Sequence, residues 1–314
     1  MRRVLLLAAV LVVAGCGGSQ HATFTNPVLA RDFPDPFVLK AGDTYYAYAT
    51  NGNDKQVQTA TSKDLVHWTP GPDALPRVAP KWAYPNATWA PEVMKIGDRY
   101  VLYYTSSQRI GRAVATTPLG PFHDESARPL VDTRALGGAI DASPFRDDDG
   151  SLYLYWKNDG NSIGQSTDIW VQRLSADGLS LVGSARKTGE TNDQVWESKV
   201  VEGPTMWKHD GRYTLFYSGG DYAGDDYAVG YATCTGPLGP CRDAPENPIL
   251  KTACRAHGPG HNALLQVGGQ TWIVYHAWRA NHGGNKRELW LDRLDWQDGK
   301  PVVHGPTCSA QPAP

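Results

Sequence analysis

DPFVLKAGDTYYAYAT, residues 35–50, opens on an acid and a proline and then runs through an apolar segment of β character. It turns on Gly42-Asp43 and resumes with Tyr45, Tyr46 and Tyr48. The same pattern returns as APEVMKIGDRYVLYYT from Ala90, SPFRDDDGSLYLYW from Ser143, EGPTMWKHDGRYTLFYS from Glu202 and HNALLQVGGQTWIVYHAW from His261. The turn glycines Gly42, Gly97, Gly150, Gly211 and Gly269 are spaced by 55, 53, 61 and 58 residues. In the first three copies a proline (Pro36, Pro91, Pro144) stands six residues before the glycine, and Pro204 stands seven before in the fourth. Each copy is a strand–turn–strand pair, with Gly/Asp turns between runs of Val, Ile and Tyr. A hairpin recurring at this period specifies an all-β protein, a five-bladed β-propeller. A β-sandwich is the alternative, but sandwich strands keep no common period across a whole domain.

The chain has 314 residues, and no low-complexity linker interrupts the repeats, so one propeller domain over residues 25–308 is the simplest count. Hydrophobic residues make up 41% and charged residues 20%, the balance of a packed soluble domain. The formal net charge is −2 with no basic run beyond the N-terminus, which excludes nucleic acid as a partner. Residues 1–15 join Met1-Arg2-Arg3 to a short apolar core, the shape of an export signal rather than a membrane span. Val13-Ala14-Gly15-Cys16 resembles a bacterial lipobox, which implies acylation of Cys16, export, and membrane contact through a lipid anchor only. Residues 16–24 then read as a flexible tether and 309–314 (SAQPAP) as a disordered tail. Four cysteines remain, Cys234, Cys241, Cys254 and Cys308, and an even number in an exported chain points to disulfides. Three pairings exist; the short interval favours Cys234 with Cys241, and Cys254 with Cys308 would then tie the fifth repeat to the end of the chain. Phe24 to Val28 and the region near Leu289–Leu294 are the candidates for closing the ring.

In a propeller the innermost strands of all blades begin around one funnel. Asp35, the Trp89–Glu92 segment, Asp141, Glu202 and His261 stand at those starts. Asp35, Asp141 and Glu202 would therefore share a pocket, which is what glycoside hydrolysis needs: one carboxylic acid to protonate the leaving oxygen and one carboxylate to activate water. Singly, Asp35 before a proline would be a turn initiator; the joint placement gives it meaning. Asp147, Asp148 and Asp149 before Gly150 read as a hairpin turn, not a calcium loop.

The motifs FPDPFVLKAGDTYYAYAT, ATWAPEVMKIGDRYVLYYT, GAIDASPFRDDDGSLYLYW, VEGPTMWKHDGRYTLFYS and GPGHNALL together resemble glycoside hydrolase family 43, over residues 26–301. That resemblance implies a five-bladed propeller that inverts anomeric configuration. It implies Asp35 as general base, Glu202 as general acid, and Asp141 as the group that positions the acid and tunes its pKa. It also implies Trp89 and Arg287 as pocket residues and His261 beneath the pocket, near a structural calcium or other cation held through water in some members. No cofactor is required for the chemistry. Inversion demands that Asp35 and Glu202 stand about 6.5–9.5 Å apart, with Glu202 protonated and Asp35 ionised. The expected substrate is terminal α-L-arabinofuranose on plant cell-wall arabinan, arabinoxylan or their oligosaccharides, cleaved by a monomer. A β-xylosidase and an endo-arabinanase are the rivals within the fold, and residues 70–88 could wall off one end of the pocket. A non-catalytic carbohydrate-binding lipoprotein and a protein-interaction propeller are the rivals outside it.

Overall fold

The computed structural model describes residues 22–279 and 286–314. Cys16 and the signal segment lie outside the described residues. After a short strand β1 (Thr23–Phe24) come five antiparallel sheets in chain order, each with its hairpin innermost. Blade one is β2 (Phe37–Ala41), β3 (Thr44–Ala49), β4 (Gln58–Ser62) and β5 (Thr69–Pro70). Blade two is β6 (Thr88–Ile96), β7 (Arg99–Ser106) and β8 (Arg109–Ala115), with single bridges Ile110–Val131 and Val114–His123 standing in for a fourth strand. Blade three is β9 (Ala139–Arg146), β10 (Leu152–Asn158), β11 (Asp168–Leu174) and β12 (Leu181–Thr191). Blade four is β13 (Val201–His209), β14 (Arg212–Gly219), β15 (Ala228–Cys234) and β16 (Cys241–Asp243). Blade five is β17 (Ala256–Val267), β18 (Gln270–Arg279), β19 (Arg287–Gln297) and β20 (Lys300–Val303), and β21 (Gln311–Pro312) follows.

The hairpins form where they do because the five turn glycines take positive φ, a conformation that a side chain would oppose. The aromatic runs that follow are buried on both faces. In β3, Tyr45, Ala47 and Ala49 pack against blade five while Tyr48 packs against blade two. In β7, Tyr100, Leu102 and Tyr104 face blade one, and Val101 and Tyr103 face blade three. The two-residue period of a strand thus sends alternate side chains to alternate neighbours. Five apolar clusters result, one at each blade boundary, and the one between blades five and one closes the ring. One buried tyrosine per blade reaches outward from the second strand. Tyr48 and Tyr155 donate to the carbonyls of Pro118 and Pro237, Tyr104 to Asp124, and Tyr275 to Asp292.

Closure uses the N-terminal segment. Leu29 bridges Leu289, and the Asn26 side chain donates to Leu291 O and accepts from Leu291 N, both at 2.9 Å. Residues 26–29 therefore run along the part of β19 that β20 leaves uncovered. The expectation of a disordered tail at 309–314 is corrected. β21 pairs with β1, in Thr23–Pro312 and Phe24–Gln311 register, so residues 23–24 of the expected tether are also strand. Gln311 Nε2 donates to Asp292 at 2.8 Å, and Ala313 packs on the closing core. The Cys254–Cys308 disulfide fixes the chain just upstream, and Cys234 is bonded to Cys241 across the β15–β16 turn. Low apolar content does not prevent order when an edge strand and a buried carboxylate lie within reach. Asp147 sits in the β9–β10 turn, where Lys208 and Tyr213 each donate to it at 2.7 Å.

Candidate active site

In or just before every inner strand a residue adopts a left-handed backbone: Asp35 (φ 55°), Ala90 (43°), Asp141 (59°), Gly203 (56°) and His261 (50°). The hairpin ladder shifts register at this point in blades two to five. A bulge with positive φ turns the side chain out of the blade face and towards the axis. Where the residue is not glycine, such a conformation costs about 1–3 kcal/mol and persists because the surroundings enforce it.

Those surroundings repeat from blade to blade. The N–H at each bulge donates to a side chain at the end of the preceding blade's second strand. Ala90 donates to Thr50 at 2.8 Å, Asp141 to Thr105 at 3.1 Å, His261 to Ser218 at 2.8 Å, and Asp35 to His276 Nδ1 at 3.1 Å. Blade three breaks the pattern because Lys157 occupies that place, opposite Ile140 in the ladder. An ammonium has three donors and no acceptor. The Gly203 N–H instead donates to Asp141 Oδ2 at 2.9 Å, and Lys157 is left to serve carboxylates. Glu202 does not occupy the place equivalent to Asp35 and Asp141. It stands one residue earlier, opposite Ser218, in the register that Trp89 holds opposite Thr105.

A cavity of about 380 Å³ opens at this end of the axis, and Asp35, Trp89, Asp141, Glu202, His261 and Arg287 all line it. Segment 70–88 contributes no lining residue; Trp82 stacks on Tyr104 of blade two, and Tyr84 N donates to Ser106. Gln108, Asn161 and Tyr222 stand at the walls instead.

The carboxyls differ in their surroundings. Burial alone would push Asp35 up, but the Arg287 guanidinium, His261, His276 and the Thr50 hydroxyl together hold it well below the usual carboxylate range. Arg287 Nη1 donates to Asp35 Oδ1 at 2.9 Å and Thr50 donates to Oδ2 at 2.5 Å. Asp141 moves the other way. Burial pushes it up to about 6, with Glu202 and Asp35 adding to that and His261 and Lys157 opposing. Glu202 receives Lys157 Nζ on Oε2 at 3.0 Å and the Tyr227 hydroxyl on Oε1 at 2.8 Å. Burial, then Glu202 and its neighbours, holds the Tyr227 pKa well above the usual phenol value, so it stays a donor. Lys157 is 1% exposed, and Glu202, Asp141 and Asp159 keep it charged against the pull of burial.

Lys157, Tyr227, Thr50 and His276 were not singled out from the sequence. Lys157 shows only through register: the ladders set Thr105 opposite Trp89, Lys157 opposite Ile140, Ser218 opposite Glu202 and His276 opposite Gly260, and lysine alone among these accepts no hydrogen bond. Burial, with Arg287 adding, pushes His276 far below its ordinary value. It is therefore neutral and, because Nδ1 accepts from Asp35 N, carries its proton on Nε2. That atom is a donor and cannot ligate a cation. His261 then offers one imidazole next to Asp35, whose oxygens already serve Arg287 and Thr50. The donor set at the funnel thus fits direct coordination of a cation poorly.

The family profile described as Glycosyl hydrolases family 43 matches residues 24–301. The β-D-galactofuranosidase xynD of Aspergillus niger is 30% identical over 88% of this chain and 84% of its own. A protein of Butyrivibrio fibrisolvens named xylosidase/arabinosidase is 27% identical over 89% of this chain; the match spans 56% of that protein, little more than half its length. Among solved structures, a thermostable family-43 glycoside hydrolase superposes with a TM-score of 0.84 and 34% identity, covering 93% of this chain and 99% of that one.

Proposed function

The chain belongs to glycosyl hydrolase family 43, and on that premise we propose that it releases terminal α-L-arabinofuranose from arabinan, arabinoxylan or their oligosaccharides, with inversion. The observation that carries the reading is the pair of opposed environments in one cavity: Asp35 held ionised, and Asp141, beside Glu202, pushed up to about 6 by burial. In the proposed step Asp35 takes a proton from water as its oxygen attacks the anomeric carbon. Glu202 delivers its proton to the departing glycosidic oxygen, and exchange with solvent restores both groups. Asp141 pins the Gly203 N–H, next in sequence to the acid, and so fixes the backbone that carries Glu202. Trp89 offers an apolar face to the sugar ring. The chemistry draws on protein side chains alone, and any cation near His261 would be held through water.

Support for a furanoside comes from the Aspergillus relative, named a galactofuranosidase. β-D-galactofuranose has the ring stereochemistry of α-L-arabinofuranose with a longer exocyclic arm. The Butyrivibrio relative is named for both xylosides and arabinosides, so the assay must separate them. Nitrophenyl α-L-arabinofuranoside, β-D-galactofuranoside and β-D-xyloside are compared by kcat/KM, and the anomer first released is read by proton NMR. Highest kcat/KM on the arabinofuranoside, with β-arabinofuranose appearing first, is the expected result. Preference for the xyloside overturns the substrate, and the α anomer appearing first overturns inversion. Binding of arabinan without turnover would favour the carbohydrate-binding lipoprotein.

The proposal includes export and anchoring through Cys16. Replacement of Cys16 by Ser is expected to move the protein from the membrane to the soluble fraction; unchanged partitioning would remove the anchor.

A further inference from the structure

Outside the lining of the funnel, at the boundary between blades three and four, three carboxylates converge. Glu190 comes from β12, Glu197 from a single 3-10 turn at Val195–Glu197, and Asp243 from β16. One carboxylate oxygen from each lies within 4.8 Å of the others. Glu190 is 1% exposed and Glu197 0%, while Asp243 is partly open to solvent. The cluster is short of hydrogen-bond donors and of positive charge. The Tyr217 hydroxyl lies 2.8 Å from Glu197 and 2.7 Å from Asp243, but it has one proton for the two of them. Asn247 Nδ2 spends its donors on the Tyr217 oxygen and the Tyr231 carbonyl. The Gln194 N–H reaches Glu197 Oε2 at 2.8 Å. Neither oxygen of Glu190 has a hydrogen-bond partner among the described residues, and no Lys or Arg among them pairs with any of the three acids.

The equivalent place in blade five shows what a satisfied carboxylate looks like in this fold. There Tyr275 donates to Asp292, and Gln311, Thr307 and Asn26 donate to it as well. Blades one and three offer their outward tyrosine a carbonyl, and blade two a single Asp124. Among the described residues, only the boundary of blades three and four gathers three acids in this way. A buried carboxylate with no donor costs several kcal/mol unless a charge or a proton compensates it.

We propose that Glu190, Glu197 and Asp243 form a binding site for a hard divalent cation, calcium by preference, that fastens blade three to blade four. The donors are all oxygen, with no imidazole or thiolate, which selects calcium or magnesium over zinc or copper. Calcium–oxygen bonds of about 2.3–2.6 Å let ligands on opposite sides of the ion stand about 4.6–5.2 Å apart, the scale of this cluster. The flexible shell of calcium tolerates carboxylates brought together from two strand ends and a 3-10 turn better than the strict octahedron of magnesium does. The open side at Asp243 is the way in, and water completes the shell there. The site lies on residues that no catalytic step uses, so it is a clamp on the propeller and not part of the reaction.

The test uses the whole chain, stripped with EDTA and dialysed. Calcium is titrated while thermal unfolding is followed, with magnesium in parallel, and terbium luminescence is excited through tyrosine, because Tyr217 touches two of the ligands. At about a hundredfold excess over Kd, calcium is expected to raise Tm by roughly 5 °C. Magnesium should do less, and terbium emission should saturate and be displaced by calcium. Glu190→Gln is expected to lose both responses while unfolding, without calcium, no lower than the parent, since an amide keeps the shape of the buried acid and cannot ionise. Should that variant fail to fold, Asp243→Asn at the open side reads the same loss. No calcium shift and no terbium emission in the parent overturn the proposal and leave protons as the occupants of the cluster. A calcium shift that persists in both variants places the ion elsewhere and overturns it equally.

Discussion

Glu202→Gln is expected to lower kcat/KM on arabino-oligosaccharides by about 10²–10⁴-fold, the range that one general acid contributes. On a 2,4-dinitrophenyl arabinofuranoside the loss should be far smaller, because that leaving group departs without a proton. The split follows from what the substitution removes. Glutamine keeps the shape of the side chain, so substrate still meets Trp89 and the Asp35 carboxylate, but no proton is available for the departing oxygen. The fold should survive at some cost. Lys157 and Tyr227 donate to different oxygens of Glu202, and an amide can accept on only one side. One donor is left facing an NH₂ group, a loss of about 1–3 kcal/mol and roughly 2–6 °C in Tm. Equal losses on good and poor leaving groups would place Glu202 in positioning or binding; near-normal turnover on oligosaccharides would remove it from the reaction.

The repeat was legible because a hairpin turn is local chemistry. A glycine at positive φ and a run that alternates Tyr with small or branched residues both show in the letters. The shared funnel followed from the repeat, and with it the gathering of Asp35, Asp141 and Glu202 in one cavity. What did not show was the backbone geometry that aims them. Ala90 and Gly203 take the same left-handed conformation as Asp35 and Asp141, yet neither carries a chemical group, and without a matched register Glu202 looked like the fourth member of a ring it adjoins. Lys157 was hidden by composition. It ends an aromatic run, YLYWK, in a way that reads as a solvated strand end, and only the cross-blade bond that it cannot make marks it. The tail SAQPAP misled in the opposite sense. Its order comes from an edge strand nearly three hundred residues away, which no local window contains.

Replacing Lys157 with Met is expected to shift the basic limb of the pH profile upward, in addition to slowing the reaction. In the parent, the limb should lie near pH 6, where Asp141, beside the acid, gives up its proton. Burial pushes Asp141 up to about 6, and Lys157 is one of the groups restraining that rise. Without the ammonium Asp141 holds its proton to higher pH, so the limb moves alkaline. The acid limb depends on Asp35, which is held far below the usual range by Arg287 and the two histidines, and should stay below the accessible window in both proteins. The effect on stability has the same origin. Lys157 is buried among Glu202, Asp141 and Asp159, and removing one partner of a buried ion pair costs about 3–5 kcal/mol. Asp141, left behind, has a folded-state pKa raised by burial, so its contribution is favourable when it is protonated at low pH and is lost as pH rises through that value. The variant should therefore lose more Tm at pH 8 than at pH 5, whereas its slower turnover reflects a Glu202 held by Tyr227 alone. Profiles of kcat/KM against pH and unfolding at the two pH values decide it. A basic limb that stays in place or moves acid, or a deficit in Tm that is the same at both pH values, would mean that Lys157 does not govern the proton on which the proposed reaction depends.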